Sequence, residues 1–509
     1  MKRLFTGIMV AVSFCLPQKQ SAQGFGTPLT YQGMDRFTNS SVVSRAAGGV
    51  SFGLSNDITL MFSNPASLDA ANGLKFSVST VQQYSSAGQT QQYGPLSYYS
   101  NFSLLMEGLT GGISDPVYDS INHIPSTGAD TVQRPFDAIR PNWNRTAWNN
   151  IPVQAFAAIP FSIGETKISF GAGIIRYADL NWYFQNNNVL DPSILSVDPN
   201  TTPIPLNTAD SNSIPVKWSK DYQERSGGIN GYGGAVSVLI AGKLSVGASG
   251  MVLQGSTDDF ESSVQRGTLR FYSNYFRLEP SYSSTVTTGT SDYSGLEFTL
   301  SALYKGKNVS LGFSVKPPTT ITRKFTSVTE EHFGKYSFDS TASVWSHSDT
   351  TSSKRVSTSG EDQLTIPLRG SVAVSVKIRD NVLVGLEYEL RPYSSAKFTN
   401  ASGSTTHPWT AANIFHLGIE YTPVEWIFVR AGVHEQAEVF QPVGNPIKDE
   451  PIGYTAFTGG LGMRIENIQL NLSYEYAKMK YTDLWASAVS INTTTMQNIA
   501  ANISYDIPW

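Results

Sequence analysis

The chain closes on Ile499-Ala500-Ala501-Asn502-Ile503-Ser504-Tyr505-Asp506-Ile507-Pro508-Trp509. In an extended backbone successive side chains point to opposite faces. Ile499, Ala501, Ile503, Tyr505, Ile507 and Trp509 therefore share one face, and Ala500, Asn502, Ser504, Asp506 and Pro508 share the other. A strand that is apolar on one side, mostly polar on the other and terminated by an aromatic suits a wall between lipid and a watery lumen. That reading predicts a transmembrane β-barrel, and the rest of the chain can be tested against it.

Composition agrees. Charged residues are only 15% of the 509 residues, aromatics are 12%, and there are 43 glycines; a soluble domain carries nearer a quarter charged residues. No stretch reaches the roughly 20 apolar residues of a membrane helix. At the amino terminus Lys2 and Arg3 precede an apolar run from Leu4 to Leu16, with small residues at Ser21 and Ala22. Residues 1–23 read as an export signal. Cys15, the one cysteine, lies inside it after Phe14, a poor setting for a lipid anchor. The exported chain then has no disulfide, thiolate metal ligand or cysteine nucleophile. Loss of Lys2, Arg3 and Lys19 takes the 36 basic residues to 33 against 40 acidic ones, which argues against nucleic acid as a partner.

Six short turns organise the middle of the chain. They are expected at Gly164-Glu165, Gly242-Lys243, Gly306-Lys307-Asn308, Arg379-Asp380-Asn381, Pro423-Val424 and Glu466-Asn467, each between runs that alternate apolar and polar residues. One such hairpin sets Val372, Val374, Val376 and Ile378 against Val382, Val384, Leu386 and Tyr388, with Lys377, Glu387 and Glu389 on the opposite faces. The hairpins are separated by polar connections near 185–227, 255–291, 320–361, 395–411, 437–452 and 482–495, read as long extracellular loops. Six hairpins give twelve strands. The run Leu74, Phe76, Val78, Thr80 adds one at the start and the terminal strand one at the end. The fold class expected is all-β: a fourteen-stranded antiparallel transmembrane barrel spanning 74–509, with an even strand count and both ends periplasmic.

Residues 24–73 precede the first strand. They contain Ser44-Arg45-Ala46-Ala47-Gly48-Gly49, then Ser55-Asn56-Asp57, then Asn64-Pro65-Ala66-Ser67-Leu68. Small residues suit a segment threaded through a narrow space. This succession, with Asn64-Pro65-Ala66 just before a first strand, resembles the FadL-type long-chain fatty-acid transporters of outer membranes. The resemblance is specific over residues 44–68. It implies a fourteen-stranded barrel with an N-terminal hatch in its lumen, formed here by 24–73, and gating through Asn64, Pro65, Ala66, Arg45 and Asp57. The connection near 85–150 is longer than the family's first loop, and no ligand-contact residue carries over.

Other motifs carry little. Gly49-Val50-Ser51-Phe52-Gly53 fits the G-x-S-x-G pattern but lacks the strand–turn–helix setting that exposes a nucleophile. His434-Glu435-Gln436-Ala437-Glu438 lacks the second histidine of a zinc helix. His416 and His434 fall on polar faces of adjacent expected strands near Glu420 and Arg430, which reads as a luminal network. No catalytic residue, metal site or cofactor is expected. The function expected is passive uptake of a hydrophobic or amphipathic small molecule, such as a long-chain fatty acid, across a bacterial outer membrane. The partners expected are that ligand, outer-membrane lipid and, through the strand ending at Trp509, the barrel-assembly machinery. Phe271, Tyr272, Tyr275 and Phe276 form either a capture surface or part of an aromatic girdle. The alternative is a FadL-like barrel that docks exported proteins for a specialised secretion system.

Overall fold

The computed structural model describes residues 29–54, 57–93, 142–164, 166–191, 214–271, 276–339, 344–442, 451–485 and 488–507. The expected signal segment, Tyr272, Tyr275 and Trp509 lie outside these residues.

One antiparallel sheet closes on itself. Its staves are β1 (Leu74–Tyr93), β2 (Trp143–Ile163), β3 (Thr166–Asp179, resumed at Trp182–Asp191), β4 (Ile214–Ile240), β5 (Leu244–Phe271), β6 (Phe276–Lys305) and β7 (Val309–Lys316, resumed at Thr319–Asp339). They continue with β8 (Val344–Ile366, resumed at Arg369–Arg379), β9 (Val382–Leu390), β10 (Ile414–Val424), β11 (Ile427–Ala437), β12 (Gly453–Ile465), β13 (Ile468–Trp485) and β14 (Ala488–Ile507). The barrel closes where β1 pairs with β14, from Leu74 opposite Ile507 to Tyr93 opposite Ala488. The fourteen-stranded barrel is thus as the turns predicted.

Period-2 chemistry separates the two faces. On β6 the exposed Leu296, Phe298 and Leu300 alternate with the buried Glu297, Thr299 and Ser301. On β13 Leu470, Leu472 and Tyr474 point outward while Gln469, Asn471 and Ser473 point inward. An apolar exterior around a polar interior is stable only where the exterior meets hydrocarbon. The protein is an outer-membrane barrel.

Two expectations are corrected. The connections near 255–291, 320–361 and 482–495 are not loops but arms of β5–β8 and of β13–β14, with Ser263 opposite Thr285, Val328 opposite Ser357 and Thr482 opposite Ile491, and within 185–227 residues 185–191 and 214–227 are likewise strand. Above the apolar belt both faces of a strand are solvated, so alternation of polarity no longer marks it. The wall of β4–β8 therefore rises well above the membrane. The turn placed at Pro423-Val424 falls instead at Glu425-Trp426, since β10 continues through Val424.

Residues 29–54 and 57–72 lie inside the barrel. Ser41 caps a short helix, α1 (Val42–Ala46), by accepting from the Ser44 N–H at 3.0 Å. Asp57 caps a 3₁₀ turn at Ile58–Leu60, and Asn64 precedes a second at Pro65–Ala70 with proline in the first turn. The wall makes room by omitting side chains. A Cβ on Gly247 of β5 would stand 2.5 Å from both the Ala66 nitrogen and the Pro65 carbonyl carbon. Backbone against backbone cannot rotate away as a side chain can. Gly247→Val is expected to leave the barrel folded, scored by heat-modifiable gel migration, while weakening docking of the segment by about 1–3 kcal/mol. A cysteine placed at Ala66, which is fully buried, should then react with maleimide much faster than in the native background.

Candidate functional site

Strand β3 leaves its neighbour. Its ladder to β2 runs from Ile163 opposite Thr166 up to Ala155 opposite Ile174 and ends there. Above that level β2 pairs only with β1, as far as Trp143 opposite Gln89, and β3 pairs only with β4. The inner segment takes the vacated edge. Phe37 bridges Ala178, with the Thr38 N–H donating to the Tyr177 carbonyl at 3.0 Å and the Asp179 N–H donating to the Arg36 carbonyl at 3.1 Å. Bulges at Arg176/Ala178 and in β1–β2 beside Val81 and Ile151 bend the two flanks where they diverge.

Among the described residues, side chains span this seam. Asn149 Nδ2 donates to Asp179 Oδ2 at 2.8 Å, and Gln91 Nε2 donates to Asn186 Oδ1 at 3.3 Å. Arg145 pairs with Glu224 and lies 3.9 Å from the centre of the Tyr183 ring. Trp143 meets the same ring edge-on at 5.6 Å. Behind the seam lies a cavity of about 640 Å³. Its lining includes Asn149, which points inward, and Trp148 and Tyr84, whose rings meet at a tilt of 52° with centres 4.8 Å apart on the outer surface. Trp148 is 66% exposed. The cavity thus reaches the outside through the seam, at the outer end of the apolar belt.

Its floor is the inner segment. The Ser51 N–H and Oγ donate to the Glu387 carboxylate at 2.6 and 2.9 Å, and His416 Nδ1 meets the Gly48 carbonyl at 2.7 Å. His416 lies opposite His434 and Glu420 opposite Arg430, as the sequence indicated. Arg430 donates to Glu420 at 2.7 Å and to Asn471 at 3.1 Å, so this cluster is an ion-paired wall. Among the described residues no group of three or more His, Cys, Asp or Glu is placed to hold a metal.

The residues singled out in the sequence fall into two places. Asp57 accepts from Ser41 Oγ at 2.7 Å and Thr59 Oγ1 at 2.6 Å, tying α1 to the next turn. Asn64 Nδ2 donates to the Ser51 carbonyl at 2.9 Å. Ala66 donates its N–H to Ser301 Oγ at 2.8 Å and accepts from Ser245 Oγ at 2.7 Å, while Pro65 sets the turn against Gly247. These anchor the lower part of the segment. Arg45 stands apart: its Nε donates to the Asn39 carbonyl at 2.7 Å and it lines the cavity.

Sequence reasoning missed the upper anchor. Arg225 Nη1 donates to the carbonyls of Thr30 and Gln32 at 2.9 and 3.0 Å, and Arg323 Nη1 donates to that of Leu29. Asp259 and Asp362 hold these guanidinium groups from the far side. No local motif announces an arginine whose partner lies almost 200 positions away. Beside this clamp, in the extracellular arms, burial pushes the Glu261 carboxyl up to about 8 and adjacent Asp259 adds to the effect. A raised acid favours the neutral form in the folded state. Its contribution is present in full below about 4.5 and is lost as the pH climbs to about 8. A spin label on Thr30→Cys is expected to be immobile at pH 5.5 and looser at pH 9, and Glu261→Gln should abolish that difference.

In fold the chain is similar to a FadL homologue of Pseudomonas aeruginosa, with TM-score 0.53 and 14% identity, covering 92% of this chain and 98% of the other. It is similar to a variant of TodX described as a monoaromatic hydrocarbon channel, with TM-score 0.51, 12% identity and the same coverages. These likenesses, with the closed barrel, its apolar belt and the occupied lumen, define the fold: an outer-membrane barrel of FadL-like architecture. A family model described as BamG matches residues 204–494, more than half of the sequence, and the chain belongs to the BamG family. No curated protein matches it in sequence.

Proposed function

We propose that this barrel passes a small amphipathic molecule between its lumen and the surrounding membrane through the β2/β3 seam, with residues 29–72 as the gate. The observation that carries this is the loss of the β2–β3 ladder above Ala155 and Ile174. A barrel in lipid ordinarily pairs every strand edge, because no water is present to satisfy free amides. An interruption at the outer end of the belt, backed by a cavity, is what lateral entry or exit requires. The description of the TodX variant as a monoaromatic hydrocarbon channel favours the same reading. Gating falls to the segment because it closes the lumen below the cavity and also occupies the β3 edge.

Two experiments test this. With a cysteine pair at Asn149 and Asp179 bridged by a short thiol cross-linker, uptake of a labelled amphiphile that cells carrying the native barrel take up should fall at least about tenfold and recover on reduction. Unchanged uptake in the bridged protein would contradict the seam as the path. Replacing Asn64 and Pro65 together by alanine should impair uptake while the barrel still assembles. The tall extracellular wall of β4–β8 favours a second reading, docking of exported protein. In that case both variants transport nothing measurable, and a secreted protein co-purifies with the native barrel.

A further inference from the structure

The cavity behind the seam has the wrong chemistry for a hydrocarbon. Sites for apolar ligands are mostly apolar, with a few placed polar groups. Here aromatic rings alternate with planar polar groups: Trp143, Trp182 and Tyr183 stand among Asn149, Asn181 and Gln185. The Nε1 of Trp182 is buried and has no hydrogen-bond partner within the protein. Trp182 itself is 6% exposed, so its N–H is held dry within the wall of the cavity.

The cations of this region are already committed. Arg145 is paired with Glu224, and Arg36 stacks on Trp182 at 5.0 Å and donates to the Asn181 carbonyl at 3.0 Å. Asp179 accepts from Asn149 and Asn181. An anionic head, a fatty-acid carboxylate included, would meet Asp179 and Glu224 at the seam, where Arg145 is already paired and Arg36 lies on Trp182. A neutral polyhydroxylated head fits both features. Its C–H faces lie on aromatic rings, and its hydroxyls, each donor and acceptor, pair with amides, carboxylates and the free indole N–H.

We propose that the seam cavity binds a neutral saccharide head, and that the preferred ligand is a glycosylated amphiphile whose chain lies against the apolar belt. This rests on the seam as the route of transfer, but it is tested by binding alone, so it can fail or stand apart from any transport result. The full-length barrel in phosphatidylcholine nanodiscs is titrated calorimetrically, against empty nanodiscs, with four submicellar probes: dodecyl maltoside, maltose, dodecyl octaethylene glycol ether and dodecanoate. Binding of dodecyl maltoside, without the ether or dodecanoate, is the expected result. If maltose alone binds as well as the maltoside, the source is a free saccharide; if only the maltoside binds, it is a glycolipid head. Trp143→Ala should weaken the glycoside about tenfold, and Trp182→Phe, which keeps a ring and removes the N–H, should weaken it by a smaller factor. Trp426→Ala, on an exposed turn, should change nothing. Equal binding of the maltoside and the ether, tighter binding of dodecanoate, or no binding of any probe overturns the proposal.

Discussion

A β-sheet immersed in lipid has to find a partner for every backbone amide, and the closed barrel of fourteen strands leaves that demand open where β2 and β3 part above Ala155 and Ile174, on the facing edges of both. For β3 the partner is not a strand of the wall but residues 36–38 of the chain's own N-terminal segment. The rest of the arrangement follows from that substitution. Because β3 is held inward at Ala178, it cannot reach β2, and the wall stays open at the outer end of the belt. Because the same segment continues down through α1 and Asn64–Ala66, the cavity behind the opening has a floor.

The segment is held along its length by bonds of different strength. Its upper end is clamped by two buried arginines, each with an aspartate behind it. Its lower end is held by hydrogen bonds from Ser245 and Ser301, by an ion pair of Lys305 with the buried Asp69 and by close backbone contact at Gly247. Charge-assisted bonds, roughly twice as strong as neutral ones, thus fasten the segment at both ends.

Much of the barrel was legible because lipid imposes a contrast. Where one face meets hydrocarbon and the other a wet lumen, as on Leu296–Leu300 or Leu470–Tyr474, alternation gives strand, face and register. The contrast vanishes above the belt. Ser283, Thr285, Thr287 and Thr290 form ladders as regular as any below them, yet in sequence they read as loop because both neighbours are polar. The hatch residues were visible for a local reason: Asn64-Pro65 and Ser41 carry their own turn chemistry. The seam was not, because Arg36, Trp143, Asp179 and Tyr183 meet only after three separate parts of the chain have folded.

The central claim is that β2 and β3 part company above Ala155 and Ile174. Residue-resolved amide hydrogen exchange of the barrel in nanodiscs measures this directly. In β2, residues 155–158 lie between both ladders, so every amide there has a partner and should be protected, whereas 159–163 pair with β3 alone. In the upper half, 143–154, only the alternate amides that face β1 are paired, so an interleaved pattern of slow and fast exchange is predicted. Uniform protection along the whole of β2 would mean that the ladder is continuous, and the account of a seam held open by residues 36–38 would be wrong.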